Sequence, residues 1–235
     1  MLNSDWIALI ITFAVSIIWL RINNYAAHKG WISNRLSRKI IHIGTGPLFV
    51  ICWLLFPNTQ TSRYLAALIP LAITFQFFLV GIGVIRDQSA VEAMSRTGDP
   101  REILRGPLFY GIVFVAVTIF FWYDTPIGII ALMLMCGGDG SAEIIGRRFG
   151  KSHIPWNPRK TWIGSISMFL GGLLLSLMIL IVYVDFGIFT TPVLEMLPAI
   201  VLIAFVGAIV ESLPLRDIDN ITVTLSAVGL GYFLL

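Results

Sequence analysis

Eight long apolar segments, separated by short polar loops, dominate this sequence. They cover residues 6–20, 40–56, 64–85, 107–123, 125–145, 162–184, 193–211 and 221–235. A helix needs about 20 residues to cross a bilayer, and about 17 suffice, so only the first and last segments are short. Charged residues make up 12% of the chain, against roughly 25% in soluble domains. The sequence therefore predicts an all-α, polytopic transmembrane helix bundle of about eight spans, forming a single integral membrane domain over residues 1–235.

The same composition argues against several other classes of protein. A formal net charge of +3 is too small to indicate a nucleic-acid partner. Cys52 and Cys136 both lie in apolar segments, which argues against a disulfide scaffold. No Lys or Arg precedes the first apolar segment, so we expect a retained first helix and not a cleaved signal peptide.

Basic residues alternate from loop to loop and predict the topology. Of the 16 Lys and Arg residues, 15 fall in the first, third, fifth and seventh loops. The positive-inside rule then places these loops in the cytoplasm and both termini outside. Topology explains the cations but not the acidic residues that reach the same face. These are Asp139, Glu143, Glu211, Asp217 and Asp219.

Two of these acids, Asp139 and Glu143, lie four residues apart where the fifth span approaches water. If the helix continues to about residue 149, both share a face with Arg147. Carboxylates at this spacing suit Mg²⁺, which prefers carboxylate and phosphate oxygens. The alternative is a simple ion pair between Glu143 and Arg147 beside a solvated Asp139. Three glycines around Asp139 favour close approach of a ligand to the backbone. They are Gly137, Gly138 and Gly140.

The segment that follows is basic and leads into the sixth span. Residues 146–152, GRRFGKS, have three residues between their glycines, whereas a Walker A loop has four, so a P-loop nucleotidase is rejected. Pro155 and Pro158 predict an extended backbone. Arg159 and Lys160 then precede Thr161, a capping residue for the sixth helix. Cations at a helix N-terminus favour an anion site. The alternative is a simple positive-inside anchor, but the nearby glycine and carboxylate cluster favours the anion site.

Other polar groups lie at the same predicted face. Arg38 and His42 share a helical face at the start of the second span, where a histidine can accept a proton or serve as an ordinary helix-end residue. Residues 98–111, GDPREILRGPLFYG, predict a turn and a short amphipathic helix. Glu211, Asp217 and Asp219 bracket the last loop and would repel one another without a bound cation.

Taken together, these motifs resemble the phytol kinase branch of the CTP-dependent polyprenol kinases. The resemblance covers residues 38–223 and rests on RKIIH, GDPREILRGPLFYG, GGDGSAEIIGRRFGK, RKTWIGS, and ES followed by DNITV. Dolichol kinases are relatives, and phosphatidate cytidylyltransferases are more distant ones. Some relatives carry two adjacent acids before the asparagine, where this chain has Ile218-Asp219-Asn220. Whether Asp217 or Asp219 acts therefore stays open.

The resemblance implies transfer of the γ-phosphate of CTP to an isoprenoid alcohol in the lipid bilayer, at the cytoplasmic face. It implies Mg²⁺ held by Asp139, Glu143, Glu211 and Asp219. The catalytic residues would be Asp139, Glu143, Lys160 and His42, with an acid or His42 accepting the proton. The alcohol tail would pack where glycines thin the sixth helix, at Gly164, Gly171 and Gly172. The expected contacts to CTP come from Arg38, Lys39, Gly138, Gly140, Arg147, Arg148, Lys151, Arg159, Lys160, Ser165 and Asn220.

Two other functions are compatible with the residues. A cytidylyltransferase acting on a lipid phosphate would release pyrophosphate in place of CDP, but the last loop lacks an Asp-Arg-Asp arrangement. A transporter would carry its charges near the bilayer midplane, between broken helices, whereas here they lie at one face. The sequence leaves open the chain length of the alcohol and whether the protein forms a homodimer.

Overall fold

A computed structural model describes residues 2, 4–95, 97–215 and 217–235 of the chain, so Arg96 and Arg216 lie outside the described residues. The described part is helical except for one small β-hairpin. The helices before the hairpin are α1 (Asp5–His28), α2 (Asn34–Trp53), α3 (Ser62–Gly81), α4 (Gln88–Met94), a 3₁₀ helix (Pro100–Leu104), α5 (Gly106–Phe120), α6 (Pro126–Met133), a π-helical turn (Leu134–Gly138) and α7 (Asp139–Phe149). The remainder are β1 (His153–Ile154), β2 (Asn157–Thr161), α8 (Trp162–Asp185), α9 (Val193–Ser212) and α10 (Asp219–Leu234).

Each of the eight predicted segments coincides with a helix, and the all-α polytopic prediction is confirmed. In the described part of the chain, six helices are long and apolar enough to cross a membrane. The second predicted segment, α2, has 20 residues but carries Arg38, Lys39 and His42 in its first half. The last, α10, is a helix of 16 residues. The exact number of spans stays a prediction.

Two helices extend beyond their predicted ends. The first apolar segment was expected to end at residue 20, but α1 continues to His28. Its polar last turns remain helical because Asn23 Nδ2 donates to the carbonyl oxygen of Trp19 at 2.8 Å. The fifth segment was expected to end near residue 145, but α6, the π-helical turn and α7 form one helical stretch from Pro126 to Phe149.

The chain divides into two compact units, Met1–Phe120 and Phe121–Leu235. In the first unit, α1 packs on α2 and α3, and α3 packs on α5. Helices of this unit approach each other closely where a glycine on one faces a larger side chain on another. Gly44 of α2 meets the Trp19 ring of α1, and Gly111 of α5 meets Thr74 of α3. The single-domain prediction stays a prediction.

In the second unit, the stretch from α6 to α7 occupies the centre. All residues from Ile127 to Gly138 are buried, and α8, α9 and α10 pack around them. A helix that is apolar on all sides is stable in this position because it has neighbours on all sides. This central helix carries Asp139 immediately after its buried part.

Glycines set the close contact between the central helix and α8. A Cβ atom at Gly171 would come within 2.7 Å of the Gly137 carbonyl oxygen, one at Gly164 within 3.5 Å of the Gly146 Cα, and one at Gly172 would overlap Leu134. The expectation that the alcohol tail packs against these α8 glycines is therefore wrong, because the central helix already fills the space beside them. They are helix-packing residues of the small-residue type.

The substitution Gly171→Ala is expected to destabilise the protein, because the new methyl group meets backbone as well as the Ser141 side chain. Overpacking of this kind costs about 1–3 kcal/mol. Gly229→Ala in α10 is the matched control, because nothing lies within 4 Å of its Cβ position; it should leave stability unchanged or raise it slightly. Unfolding in mixed detergent micelles measures both changes, and equal effects would contradict the packing argument.

Candidate functional site

Four elements of the second unit end or begin at the same place, and each brings one charged residue. Asp139 begins α7, Lys160 lies near the end of β2, Glu211 lies in the last turn of α9, and Asp219 begins α10. The charges of the three carboxylates all act on the Lys160 ammonium group. We call these four residues the carboxylate–lysine cluster. The sequence predicted each residue, and the structure brings the four together.

Asp139 is positioned by the π-helical turn that precedes it. Residues 134–138 are fully buried, whereas Asp139 is partly exposed. One extra residue per turn rotates the following helix relative to the preceding one, and such turns recur at functional sites. The turn therefore sets the direction in which Asp139 leaves the buried helix. The sequence showed the glycines but not the π-helical geometry.

Lys160 is carried by the β-hairpin, residues 153–161. The extended backbone expected around Pro158 is present in β2, but Pro155 and Trp156 form the turn between β1 and β2, which pair antiparallel. The predicted cap is also confirmed: Thr161 Oγ1 accepts a hydrogen bond from the Gly164 backbone N–H at 3.2 Å. The hairpin thus passes directly into α8, with Lys160 two residues before the helix.

The hairpin is fixed on the end of α9 by two residues that the sequence analysis did not identify. Trp156 Nε1 donates to Ser212 Oγ at 3.1 Å. Asn157 Nδ2 donates to the backbone carbonyl oxygens of Ser212 and Leu213 at 3.1 and 3.2 Å. Asn157 is buried. In the sequence, Asn157 stands out as a polar residue between two prolines, but its partner Ser212 lies 55 residues later and could not be predicted. These bonds place Lys160 beside Glu211.

Lys160 is the centre of the cluster. Its Nζ forms an ion pair with Glu211 Oε1 and lies 3.6 Å from Asp219 Oδ2. Burial lowers the pKa of Lys160, but the charges of Glu211, Asp139 and Asp219 outweigh that effect, so the pKa is raised above its usual value. Lys160 therefore stays protonated at neutral pH.

The cluster carries more negative than positive charge. Three carboxylates surround one ammonium group, and the second oxygen of Glu211, Oε2, is buried with no hydrogen-bond partner among the described residues. Within the same residues, no three His, Cys, Asp or Glu side chains are arranged to hold a metal ion together. This donor set fits Mg²⁺ shared with substrate phosphates, which needs only one or two protein carboxylates, and not a closed protein cage.

Glu143 makes the ion pair that the sequence offered as the alternative. Its Oε1 lies 3.5 Å from Arg147 Nε along α7, which continues to Phe149, the condition under which these side chains share a face. The other predicted cations of this region are exposed. Arg148 lies over the Phe149 ring at 5.5 Å, and Lys151 and Arg159 are exposed. Only Lys160 turns into the cluster.

The remaining predicted residues of the second unit surround these elements. Ser165 Oγ, in the first turn of α8, is buried with no hydrogen-bond partner among the described residues, so it can serve a ligand. Asn220 lies in the first turn of α10, and Gly140 is buried in α7. At Gly138, a Cβ atom would meet Met168. Helix packing explains that glycine, and its role toward CTP stays a prediction.

Arg38, Lys39 and His42 belong to the first unit, on α2. Arg38 Nη1 donates to the Ser95 carbonyl oxygen at 3.0 Å, and Lys39 is 9% exposed. The His42 ring lies 4.5 Å from the Tyr110 ring, and the Tyr110 hydroxyl donates to the His42 carbonyl oxygen at 2.8 Å. The histidine is therefore held by α5.

The segment expected to form a turn and a short helix does so. Gly98 has a positive φ of 89°, and a 3₁₀ helix follows at Pro100–Leu104. Ile103 is fully buried against Val80 and Val91. The segment REILRGPLFY thus contacts α3 and α4 through Ile103 and α2 through Tyr110, all within the first unit.

Of the two acids in the last loop, Asp219 is the one that contacts Lys160. Asp217 has a positive φ of 65°, a conformation that aspartate tolerates better than most residues. Asp219→Asn is therefore expected to lower kcat by about a hundredfold, whereas Asp217→Asn should change it by less than about fivefold. Steady-state assays of both variants with any active substrate decide between the two, and the reverse order of effects would assign the role to Asp217.

The chain is similar to plant proteins over most of its length. "Probable phytol kinase 1, chloroplastic" of Oryza sativa subsp. japonica is 42% identical over 205 residues, which cover 86% of this chain and 65% of that protein. "Probable phytol kinase, chloroplastic" of Zea mays is 37% identical over 217 residues, covering 92% and 72%. "Phytol kinase 1, chloroplastic" of Arabidopsis thaliana is 40% identical over 203 residues, covering 86% and 67%.

These alignments leave part of each plant protein uncovered. The chain spans slightly less than two thirds of the rice protein's length. No family model matches the chain, and no solved structure matches it.

Proposed function

The chain belongs to the phytol kinase family, and from this premise we propose that it transfers the γ-phosphate of CTP to the hydroxyl of an isoprenoid alcohol such as phytol. The observation that carries the proposal is the carboxylate–lysine cluster at one end of four helices. A lipid alcohol keeps its hydroxyl at the membrane–water boundary, and a nucleotide arrives from water. A charged site at the ends of spans is where the two can meet.

Phosphoryl transfer depends mainly on positioning the reactants and neutralising their charge. The alcohol oxygen attacks the γ-phosphorus, the bond to CDP breaks, and the hydroxyl proton passes to a carboxylate of the cluster; His42, on α2, stays a predicted alternative acceptor. Asp139 and Asp219 would hold Mg²⁺. Glu143, four residues after Asp139, and Glu211, which pairs with Lys160, are the further candidate ligands. When bound, the ion neutralises the β- and γ-phosphates. Lys160 holds the Glu211 carboxylate in place and supplies positive charge beside the transferred group.

The remaining cations and polar groups are proposed to bind CTP. In the second unit, the side chains of Arg147, Arg148, Lys151 and Arg159 are exposed, so a triphosphate arriving from water can reach them. Ser165 offers a buried hydroxyl. Further proposed contacts come from Arg38, Lys39, Gly138, Gly140 and Asn220.

The membrane orientation is part of the same proposal. Of the 16 cations, 15 lie in alternate loops, and the cluster is formed by ends of helices that such loops join. The positive-inside rule supports a site on the cytoplasmic side, with both termini on the other side. A homodimer stays a prediction.

The decisive experiment is an assay of purified protein with phytol and CTP labelled in the γ-phosphate. We expect labelled phytyl phosphate and CDP, with less product when ATP replaces CTP. Release of pyrophosphate would instead indicate a cytidylyltransferase. No product with phytol, farnesol, geranylgeraniol or diacylglycerol would contradict the proposed function.

A further inference from the structure

An exposed apolar stripe runs along α8 at helical spacing. Since α8 is one of the helices long and apolar enough to cross a membrane, this stripe faces lipid tails. Its first member is an aromatic residue at the start of the helix, where the span meets the hairpin. The stripe consists of Trp162, Ile166, Leu170, Leu174, Met178 and Ile181.

Trp156 extends the stripe beyond the helix and onto the hairpin. Its ring packs edge-to-face on Trp162, with ring centroids 5.7 Å apart. The two rings remain 49% and 46% exposed. The polar edge of Trp156 is directed inward, because its Nε1 donates to Ser212. An indole with an apolar ring outward and its N–H satisfied is typical of the membrane–water boundary.

The same hairpin carries the lysine of the cluster, since Lys160 pairs with Glu211 at the end of α9. Trp156 bonds to Ser212, the residue after Glu211, and Trp162 lies two residues after Lys160. The two tryptophans therefore border the cluster.

We propose that the Trp156–Trp162 pair lies in the boundary layer between lipid headgroups and tails, and that it borders the path by which a long-chain alcohol reaches Lys160 from the leaflet. The path of the alcohol rests on the proposed function, whereas the membrane depth of the pair does not. This surface contacts lipid, because the pair is continuous with the α8 stripe. Stacking on the cytosine ring of CTP is the competing use of two exposed indoles.

The first experiment measures membrane depth and does not depend on activity. Nitroxide labels are attached to the Trp156→Cys and Trp162→Cys variants in lipid nanodiscs, and their collision rates with oxygen and with a water-soluble nickel complex are compared. The native cysteines, Cys52 and Cys136, are buried. Labels on Leu174→Cys and Lys151→Cys provide the tail-depth and aqueous references. Both tryptophan positions should lie between the references. A depth equal to the Lys151 label would overturn the proposal.

The second experiment tests the path of the alcohol. Trp162→Ala should raise the KM for phytol, expressed as mole fraction in the membrane, by about tenfold, and leave the KM for CTP unchanged. Ile166→Ala removes exposed apolar surface one turn further along the same stripe and should leave both constants near their wild-type values. Trp162→Phe, which keeps an aromatic ring, should recover most of the loss and controls for misfolding.

The outcomes separate the two proposals. A rise in the KM for CTP with an unchanged KM for phytol would overturn the alcohol path in favour of base stacking. Interfacial depth at both labels without activity toward any alcohol would leave the membrane contact standing and refute the proposed function. Activity toward an alcohol, combined with labels at aqueous depth, would support the proposed function and refute the membrane contact.

Discussion

Lys160→Met is expected to lower both activity and stability. The substitution leaves Glu211, whose side chain is 2% exposed, as a buried carboxylate without its cation. Removing one partner of a buried pair costs about 3–5 kcal/mol in the free energy of unfolding. Loss of the positive charge beside the transferred phosphate should also lower kcat by about a hundred- to thousandfold. Unfolding in mixed detergent micelles and steady-state kinetics measure the two effects separately.

Two further variants isolate the ion pair. Arg159→Gln removes the exposed cation next to Lys160 in sequence and should leave the free energy of unfolding nearly unchanged. The double variant Lys160→Met/Glu211→Gln removes both buried charges, so it should recover most of the stability but none of the activity. If the double variant is no more stable than Lys160→Met alone, the buried charge is not the cause of the loss.

Asp139→Asn is expected to be nearly inactive while folding normally. The change keeps the size of the side chain but removes the negative charge that begins α7, and the asparagine oxygen is a weaker ligand for Mg²⁺. We expect kcat/KM to fall by about a hundred- to thousandfold. The Mg²⁺ concentration that gives half-maximal activity should rise. Expression and unfolding should match the wild type, because Asp139 is only partly buried.

Asp185→Asn is the matched control for Asp139. It is the same substitution in the same unit, but it lies at the end of α8 remote from Lys160 and is exposed. It should change neither kinetic constants nor the Mg²⁺ dependence. Activity of Asp139→Asn within about threefold of the wild type would remove Asp139 from the site.

The helices themselves could be predicted closely from the sequence. Long apolar runs must become helices in a bilayer, because each backbone N–H and C=O needs an internal partner there. All eight predicted segments coincide with helices. The ends were less certain, as α1 shows, because a polar turn such as that around Asn23 stays helical once its side chain bonds back to the helix.

Within the site, local patterns predicted local features. The cap at Thr161, the pairing of Glu143 with Arg147 and the extended backbone at Pro158 all depend on neighbours within a few residues, and all are present. What local patterns could not rank were the five cations of one loop. Only Lys160 turns inward, and that choice depends on Ser212 and Glu211, more than 50 residues later.

The glycines also show what the sequence can and cannot predict. Their clustering is evident from the sequence, where those of the fifth span suggest close approach of a ligand around Asp139 and those of the sixth suggest room for the alcohol tail. In the structure, Gly171 and Gly172 face Gly137 and Leu134 on the central helix. A glycine that admits a ligand and one that admits another helix are identical in sequence, and only the neighbour across the interface distinguishes them.

The sequence by itself determined the membrane-spanning, all-helical class and the set of polar residues from which a site can be built, because hydropathy and charge act along the chain. Tertiary structure alone decided which of those residues meet. Asp139, Lys160, Glu211 and Asp219 come from four separate elements, and their convergence follows from a π-helical turn, a docked hairpin and glycine contacts between helices. Each of these is a packing interaction between distant segments, and no local pattern encodes it.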